Sequence, residues 1–329
     1  MRNKKSHLLG VLALSILPLS GCLCASDPGN LVPKTVVEDP TLPAIEINGT
    51  RLHAEAFGEP DGPVVMVLHG GPGSDYRGLL PLKALADDGY RVVFWDQRGA
   101  GLSQRHDADE IDLETYVEDL RLVIEHYAPG RPLTFIGHSW GAMYATIFIN
   151  QYGDYNGRIK GAILSEPGAF TDEQLRGYIK RLMGSVSLVG EQFNDALWMG
   201  QFLSPADHAR ADYQRTMMAM HGTPAEHLDP DNPSPIWRSG AVVNKRMLSI
   251  AEDGFDWTTN LSAFTHKVLF LRGDLNEAAT LEHQQELAAS YPDAEIETIA
   301  NVGHEMIWER PEEYLDHARA YLREIGANQ

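Results

Sequence analysis

The stretch FIGHSWGAMYA at residues 135–145 sets Ser139 between Gly137 and Gly141 in the pattern G-x-S-x-G. A serine hydroxyl is a poor nucleophile unless a base takes its proton and a third group orients that base. The pattern supports such chemistry only where a strand leads in and a helix leads out, because the sharp turn between them holds the serine at the end of a sheet. Leu133–Ile136 is strand-like and Trp140–Ile149 is helix-like, with Gly141, Ala142 and Ala145 small enough for close contact with the strand. Glycines at 137 and 141 suit the turn, where a Cβ would collide with neighbouring backbone. The Trp140 amide then stands at a helix N-terminus, where it can donate to an oxyanion.

The remaining machinery follows in the chain order serine, acid, histidine. "LFLRGDLNE" brings Asp274 to a strand end, and "ETIANVGHEM" brings His304 to the next one. Of thirteen histidines, His304 is the one on a loop after the last strand. We expect Ser139 as nucleophile, His304 as general base and then acid, and Asp274 as the carboxylate that fixes the imidazole tautomer. Glu277 is the reserve acid, and His138, adjacent to the nucleophile, should point elsewhere. "VLHGGPGSDY" supplies a glycine turn after an earlier strand; Gly71 is the expected second oxyanion donor, with Gly70 the alternative.

These residues need a scaffold of parallel strands. Short β-branched apolar runs occur at Val64–Leu68, Val92–Trp95, Leu133–Ile136, Ile159–Leu164, Val268–Leu271 and Ile296–Ile299. They read as buried strands. Helical patterns at Leu79–Asp88, Leu113–Tyr127, Trp140–Tyr152, Leu281–Ser290 and Pro311–Ile325 alternate with them, which makes repeated βαβ units. Ile45–Ile47 and Leu52–Ala56 flank Asn48-Gly49 as an edge hairpin. The expected architecture is a doubly wound, mostly parallel eight-stranded sheet flanked by helices, with a helical cap inserted after the sixth strand; with the GHSWG elbow and the serine, acid, histidine order it resembles the α/β-hydrolase fold. The cap spans residues 169–259, where helical stretches carry many large apolar residues, and it would roof a site at the strand ends. The core is then 44–168 with 260–329.

Arg2, Lys4 and Lys5 precede the twelve-residue apolar run Leu8–Leu19, a signal-peptide layout too short for the roughly 20 apolar residues of a membrane-spanning helix. The run ends in Leu19-Ser20-Gly21-Cys22, which resembles the lipobox of bacterial lipoproteins. That resemblance implies cleavage after residue 21, lipidation of Cys22 and an anchor in the bacterial cell envelope, with the outer membrane preferred because Leu23 rather than aspartate follows the cysteine. Residues 22–43 then read as a tether. Cys22 and Cys24 are the only cysteines, so the folded body needs no disulfide. The net charge of −19 becomes −22 once three basic groups leave with residues 1–21, which argues against nucleic acid as a partner.

"HGGPG", then "DQRGAGLS" at residues 96–103, "GHSWG", "GD" and "GH" in that order resemble the proline iminopeptidase branch of the α/β-hydrolases, peptidase family S33. The resemblance implies removal of an N-terminal residue, often proline, from short peptides. Such enzymes hold the substrate amine with cap glutamates. The corresponding segments here, "ALWMGQF" at 196–202 and "GAVVNKRML" at 240–248, lack a glutamate at the matching place. Glu166, directly after the sixth strand, is the substitute anchor, with Glu191 and Asp195 behind it. The alternatives are a carboxylesterase or other ester, amide or lactone hydrolase, or a non-catalytic binding lipoprotein. No cofactor or metal is expected, because no metal cluster, phosphate loop or dinucleotide motif occurs. The partner is a small-molecule or short-peptide substrate.

Overall fold

The computed structural model describes residues 32–184, 208–220, 234–250 and 254–327. The leader with Cys22, and the cap positions Glu191, Asp195 and 196–202, lie outside the described residues.

Eight strands form one sheet: β1 (Ala44–Ile47), β2 (Thr50–Phe57), β3 (Val64–Leu68), β4 (Arg91–Trp95), β5 (Leu133–His138), β6 (Ile159–Ser165), β7 (Val268–Gly273) and β8 (Ala294–Ile299). Their order is β1-β2-β4-β3-β5-β6-β7-β8. The β1–β2 and β2–β4 pairs are antiparallel and every later pair is parallel. Asn48 and Gly49 both take positive φ, 44° and 69°, as a tight turn between β1 and β2 requires.

Strand β3 shows why its apolar run is continuous. Val64, Met66 and Leu68 enter one hydrophobic layer while Val65 and Val67 enter the other. Successive side chains leave a strand on opposite faces, so a sheet covered on both sides needs apolar residues throughout. The first layer is closed by α1 (Leu113–Tyr127) and α2 (Trp140–Tyr152), the second by α7 (Met306–Glu309), α8 (Pro311–Glu324) and the segment Arg77–Ala86. Asp112 caps α1 by accepting from the Thr115 amide at 2.7 Å. The segment expected as a helix at Leu79–Asp88 is a 3₁₀ helix over Arg77–Ala86, with Pro81 inside it. Proline lacks the amide that an α-helix would use there, so the tighter turn replaces it.

Between β6 and β7 the chain leaves the sheet and builds the cap from α3 (Asp172–Gly184), α4 (His208–Met220) and α5 (Ala241–Ile250); α6 (Leu281–Ala288) follows β7. The cap is fixed to the core by charge. Asp212 of α4, fully buried, accepts from Arg105 Nε and from Arg238 Nε, each at 2.7 Å. Removing a buried partner of this kind typically costs about 3–5 kcal/mol. Arg238 also reaches Glu38 at 3.0 Å and the Pro33 carbonyl at 3.0 Å. The expected tether is therefore not free chain along its described part. Thr35 and Val36 are buried, and the Val36 amide donates to the Leu102 carbonyl at 2.8 Å.

Candidate active site

Ser139 sits where β5 turns into α2, with φ 56° and ψ −119°. A non-glycine residue in that region is strained and persists only where its surroundings enforce it. The enforcement is visible in the flanking glycines. A Cβ on Gly137 would lie 2.5 Å from the Gly141 carbonyl oxygen, and one on Gly141 would lie 2.0 Å from that of Leu68. The Ser139 amide donates to the Ser165 carbonyl at 2.8 Å, which ties the turn to the end of β6. Trp140 opens α2, where the first amides of a helix have no acceptor within it.

The turn after β3 passes beside the serine. A Cβ on Gly70 would stand 3.2 Å from the Ser139 Cβ, and Gly70, Gly71, Ser139, His138 and His304 line one cavity. Gln97 secures this turn. Its amide donates to His69 Nε2 at 3.0 Å, its side-chain nitrogen to the His69 carbonyl at 2.9 Å, and its side-chain oxygen accepts from the Trp140 indole at 3.0 Å. One glutamine thus joins the two segments that carry Gly71 and Trp140.

His304 enters from the loop after β8, and the carboxylate beside it comes from the end of β6. His304 Nδ1 lies 2.6 Å from Glu166 Oε2. A carboxylate accepts only, so Nδ1 carries the proton. Glu166 is fully buried, has φ 47°, and also accepts from the Gly273 amide at 2.8 Å and from Asn276 Nδ2 at 2.6 Å. This corrects two expectations. Asp274 is exposed, and its Oδ1 faces the Val302 amide at 3.4 Å, so it braces the loop leading to His304 rather than the imidazole. Glu166, expected as an amine anchor, instead turns its carboxylate to His304, Asn276 and the Gly273 amide. Glu277, the reserve, is exposed. β6 and β7 are paired neighbours, roughly 4.8 Å apart as sheet strands are, and the longer glutamate side chain spans that step.

His138 has a part that sequence reasoning missed. Its Nε2 lies 2.8 Å from the His304 carbonyl, and the two rings are 4.5 Å apart. A carbonyl accepts only, so His138 donates from Nε2 and holds the backbone of the His304 loop. Burial, and then the neighbouring His304, push its pKa below the ordinary value of 6.5, which keeps it neutral beside a second imidazole. The signal available in sequence was only its adjacency to Ser139. Asn276, two residues past Asp274, was likewise passed over. Among the described residues no group of three or more His, Cys, Asp or Glu side chains forms a metal site.

The arrangement can carry acyl transfer: a strained serine, an imidazole with a carboxylate behind it, and a glycine turn for an oxyanion. Known proteins similar to this chain are hydrolases. Proline iminopeptidase PfmaB of Pestalotiopsis fici is 26% identical over 289 residues, covering 84% of this chain and 98% of that protein. A proline iminopeptidase-related protein of Thermus thermophilus superposes with TM-score 0.62 at 23% identity, over 87% of this chain and 97% of its own. Est816, described as an N-acyl homoserine lactone degrading enzyme, superposes with TM-score 0.60 at 20% identity, over 84% of this chain and 99% of its own. Residues 59–311 match the family described as serine aminopeptidase, S33, and the chain belongs to that family of α/β-hydrolases.

Proposed function

We propose that the protein is a serine hydrolase working through an acyl-enzyme, with Ser139 as nucleophile, His304 as general base and then acid, and Glu166 as the carboxylate of the triad. The observation that carries this reading is the 2.6 Å contact of Glu166 with His304 Nδ1 beside the strained Ser139 turn. Ser139 Oγ attacks the substrate carbonyl carbon as its proton passes to His304 Nε2. The oxyanion is met by the Gly71 and Trp140 amides. His304 then protonates the departing nitrogen or oxygen as its bond to the acyl carbon breaks. A water, deprotonated by His304, attacks the ester, and Ser139 recovers its proton. Glu166 keeps its hydrogen bond to Nδ1 and stabilises the imidazolium of both half-reactions.

The family supports an aminopeptidase of the proline iminopeptidase type acting on small peptides. The commitment of Glu166 to His304 favours a second reading, an ester or lactone hydrolase that needs no amine anchor. Fluorophosphonate labelling of Ser139, followed by prolyl and alanyl arylamides with free and blocked amines and by simple esters and lactones, tests both. An unlabelled Ser139 refutes the triad, and rates indifferent to amine blocking refute the aminopeptidase. The sequence around Cys22 supports a lipid-anchored placement in the bacterial envelope. Mass spectrometry of the mature N-terminus checks it, and an unmodified Cys22 thiol contradicts it.

A further inference from the structure

The cap and the glycine turn meet through a side chain that the triad does not use. Asp75, only 5% exposed, lines the same cavity as Ser139 and His304. Its Oδ1 accepts from the Arg77 amide at 2.9 Å, and its Oδ2 accepts from the cap amides of Trp237 and Arg238 at 2.6 and 3.0 Å. The contact continues along the backbone. The Gly73 carbonyl accepts from the Gly240 amide at 2.6 Å and from Ser239 Oγ at 3.3 Å, and the Pro72 carbonyl accepts from Asn244 Nδ2 at 3.0 Å. Neither Gly73 nor Gly240 has room for a side chain in this seam. A Cβ on Gly240 would stand 2.1 Å from the Gly99 carbonyl oxygen, and one on Gly73 would stand 2.6 Å from that of Gly240. The segment 237–240 is thus clasped between the turn carrying Gly71 and the turn after β4.

We propose that Asp75 is a positioning residue: its carboxylate couples the seating of the cap to the placement of the Gly71 amide, so that the element roofing the substrate also sets the oxyanion donor. The proposal rests on the serine-hydrolase reading above. Its chemistry makes the clasp sensitive to protons. Burial and the nearby Asp96 carboxylate push the Asp75 pKa up to about 7, against the pull of the three amides. The groups around it are Asp96 just past β4, His53 within β2, Tyr76 and Arg77 beside it, Arg238 on the cap, and Arg215, His138, His304 and Glu305 across the cavity. Protonation turns one accepting oxygen into a donor facing amides that also donate, and the clasp loosens as pH falls through that range.

Asp75→Asn tests this, because it replaces one acceptor oxygen with a donor at nearly constant volume. The expected result is a fall of about 10–100-fold in kcat with KM within about threefold, the signature of a displaced oxyanion donor. The wild-type rate should fall more steeply with acid than a single ionisation allows, and the variant should return to a single-ionisation slope. Amide hydrogen exchange at Trp237, Arg238 and Gly240 should quicken, a readout independent of activity. Unchanged kcat with an unchanged pH slope overturns the proposal, as does unchanged exchange at those amides. Should Asp75→Asn fail to fold, Asn244→Ala removes only the tie to Pro72, and about a 3–10-fold loss of kcat is expected. Unaltered kcat there is likewise decisive against it. A wild-type protein that takes no fluorophosphonate overturns the hydrolase reading instead, and the exchange measurement still reads the clasp.

Discussion

The ends of β6 and β7 lie side by side, and each strand is followed at once by an acid. Glu166 is buried, left-handed in φ, and surrounded by three donors: the Gly273 amide, Asn276 Nδ2 and His304 Nδ1. Asp274 faces solvent and has a single amide near it, at 3.4 Å. A buried carboxylate with that many donors is fixed in place by its hydrogen bonds, whereas an exposed one gains little. Under the proposed triad, the difference teaches that standing at a strand end does not by itself make an acid catalytic. Reach and the donors that gather around the carboxylate decide it.

The largest expected effect breaks the β6 side. Glu166→Ala should lower kcat by about 10³–10⁴, the loss seen when the carboxylate of such a triad is removed, and should also lower Tm because buried donors lose their acceptor. Steady-state kinetics and thermal unfolding check the two parts. Asn276→Ala strips one donor from Glu166 and leaves its charge, so about a tenfold loss of kcat is expected with KM little altered. Equal kcat in variant and wild type would show that Asn276 serves only its own loop, where its Oδ1 accepts from the Ala278 and Ala279 amides.

His138→Phe sharpens the comparison from the serine side. It removes the bond to the His304 carbonyl and should cost about 3–10-fold in kcat. It should also change stability against pH. His138 has a lowered pKa in the folded state, so the unfolded chain binds a proton there first as pH falls below 6.5, and the native protein loses stability on acidification. Asp75 acts oppositely. Burial beside Asp96 disfavours its charge more than the three amides favour it, so its net contribution to stability is fully present below 3.8 and weakens as pH rises toward about 7, even though the clasp's own hydrogen bonds are strongest to the carboxylate. Chemical denaturation at a series of pH values should show the acid-side decline shrinking in His138→Phe.

How much was legible in sequence follows the same divide. Ser139, His304 and Gly71 come from local patterns: a glycine-flanked turn, a loop after the last apolar run, and a bare glycine turn. Strands β3 to β7 were legible because two-sided burial demands continuous apolar runs. The acid was not. Sequence pointed to Asp274 with Glu277 in reserve, whereas the proposed acid, Glu166, depends on a left-handed backbone at 166 and on the reach of one extra methylene, neither of which has periodicity. The helical pattern at Leu79–Asp88 gives no sign of the tighter 3₁₀ turn over Arg77–Ala86, because the apolar spacing is the same for both and only Pro81 separates them. Asp75 and Asn276 were illegible for a further reason: their partners lie far away in sequence, at 237–238 for one and 166 for the other.

The smallest effect belongs to the β7 side. Asp274→Asn should leave kcat within about threefold of wild type and stability within about 0.5 kcal/mol, as for other exposed substitutions. The most direct test of the account sets it beside Glu166→Gln, which keeps the shape of the side chain and removes its charge. We predict that Glu166→Gln loses about 10³-fold in kcat with the fold intact by circular dichroism, while Asp274→Asn stays near wild type. The reverse order, an active Glu166→Gln with an inactive Asp274→Asn, would contradict it.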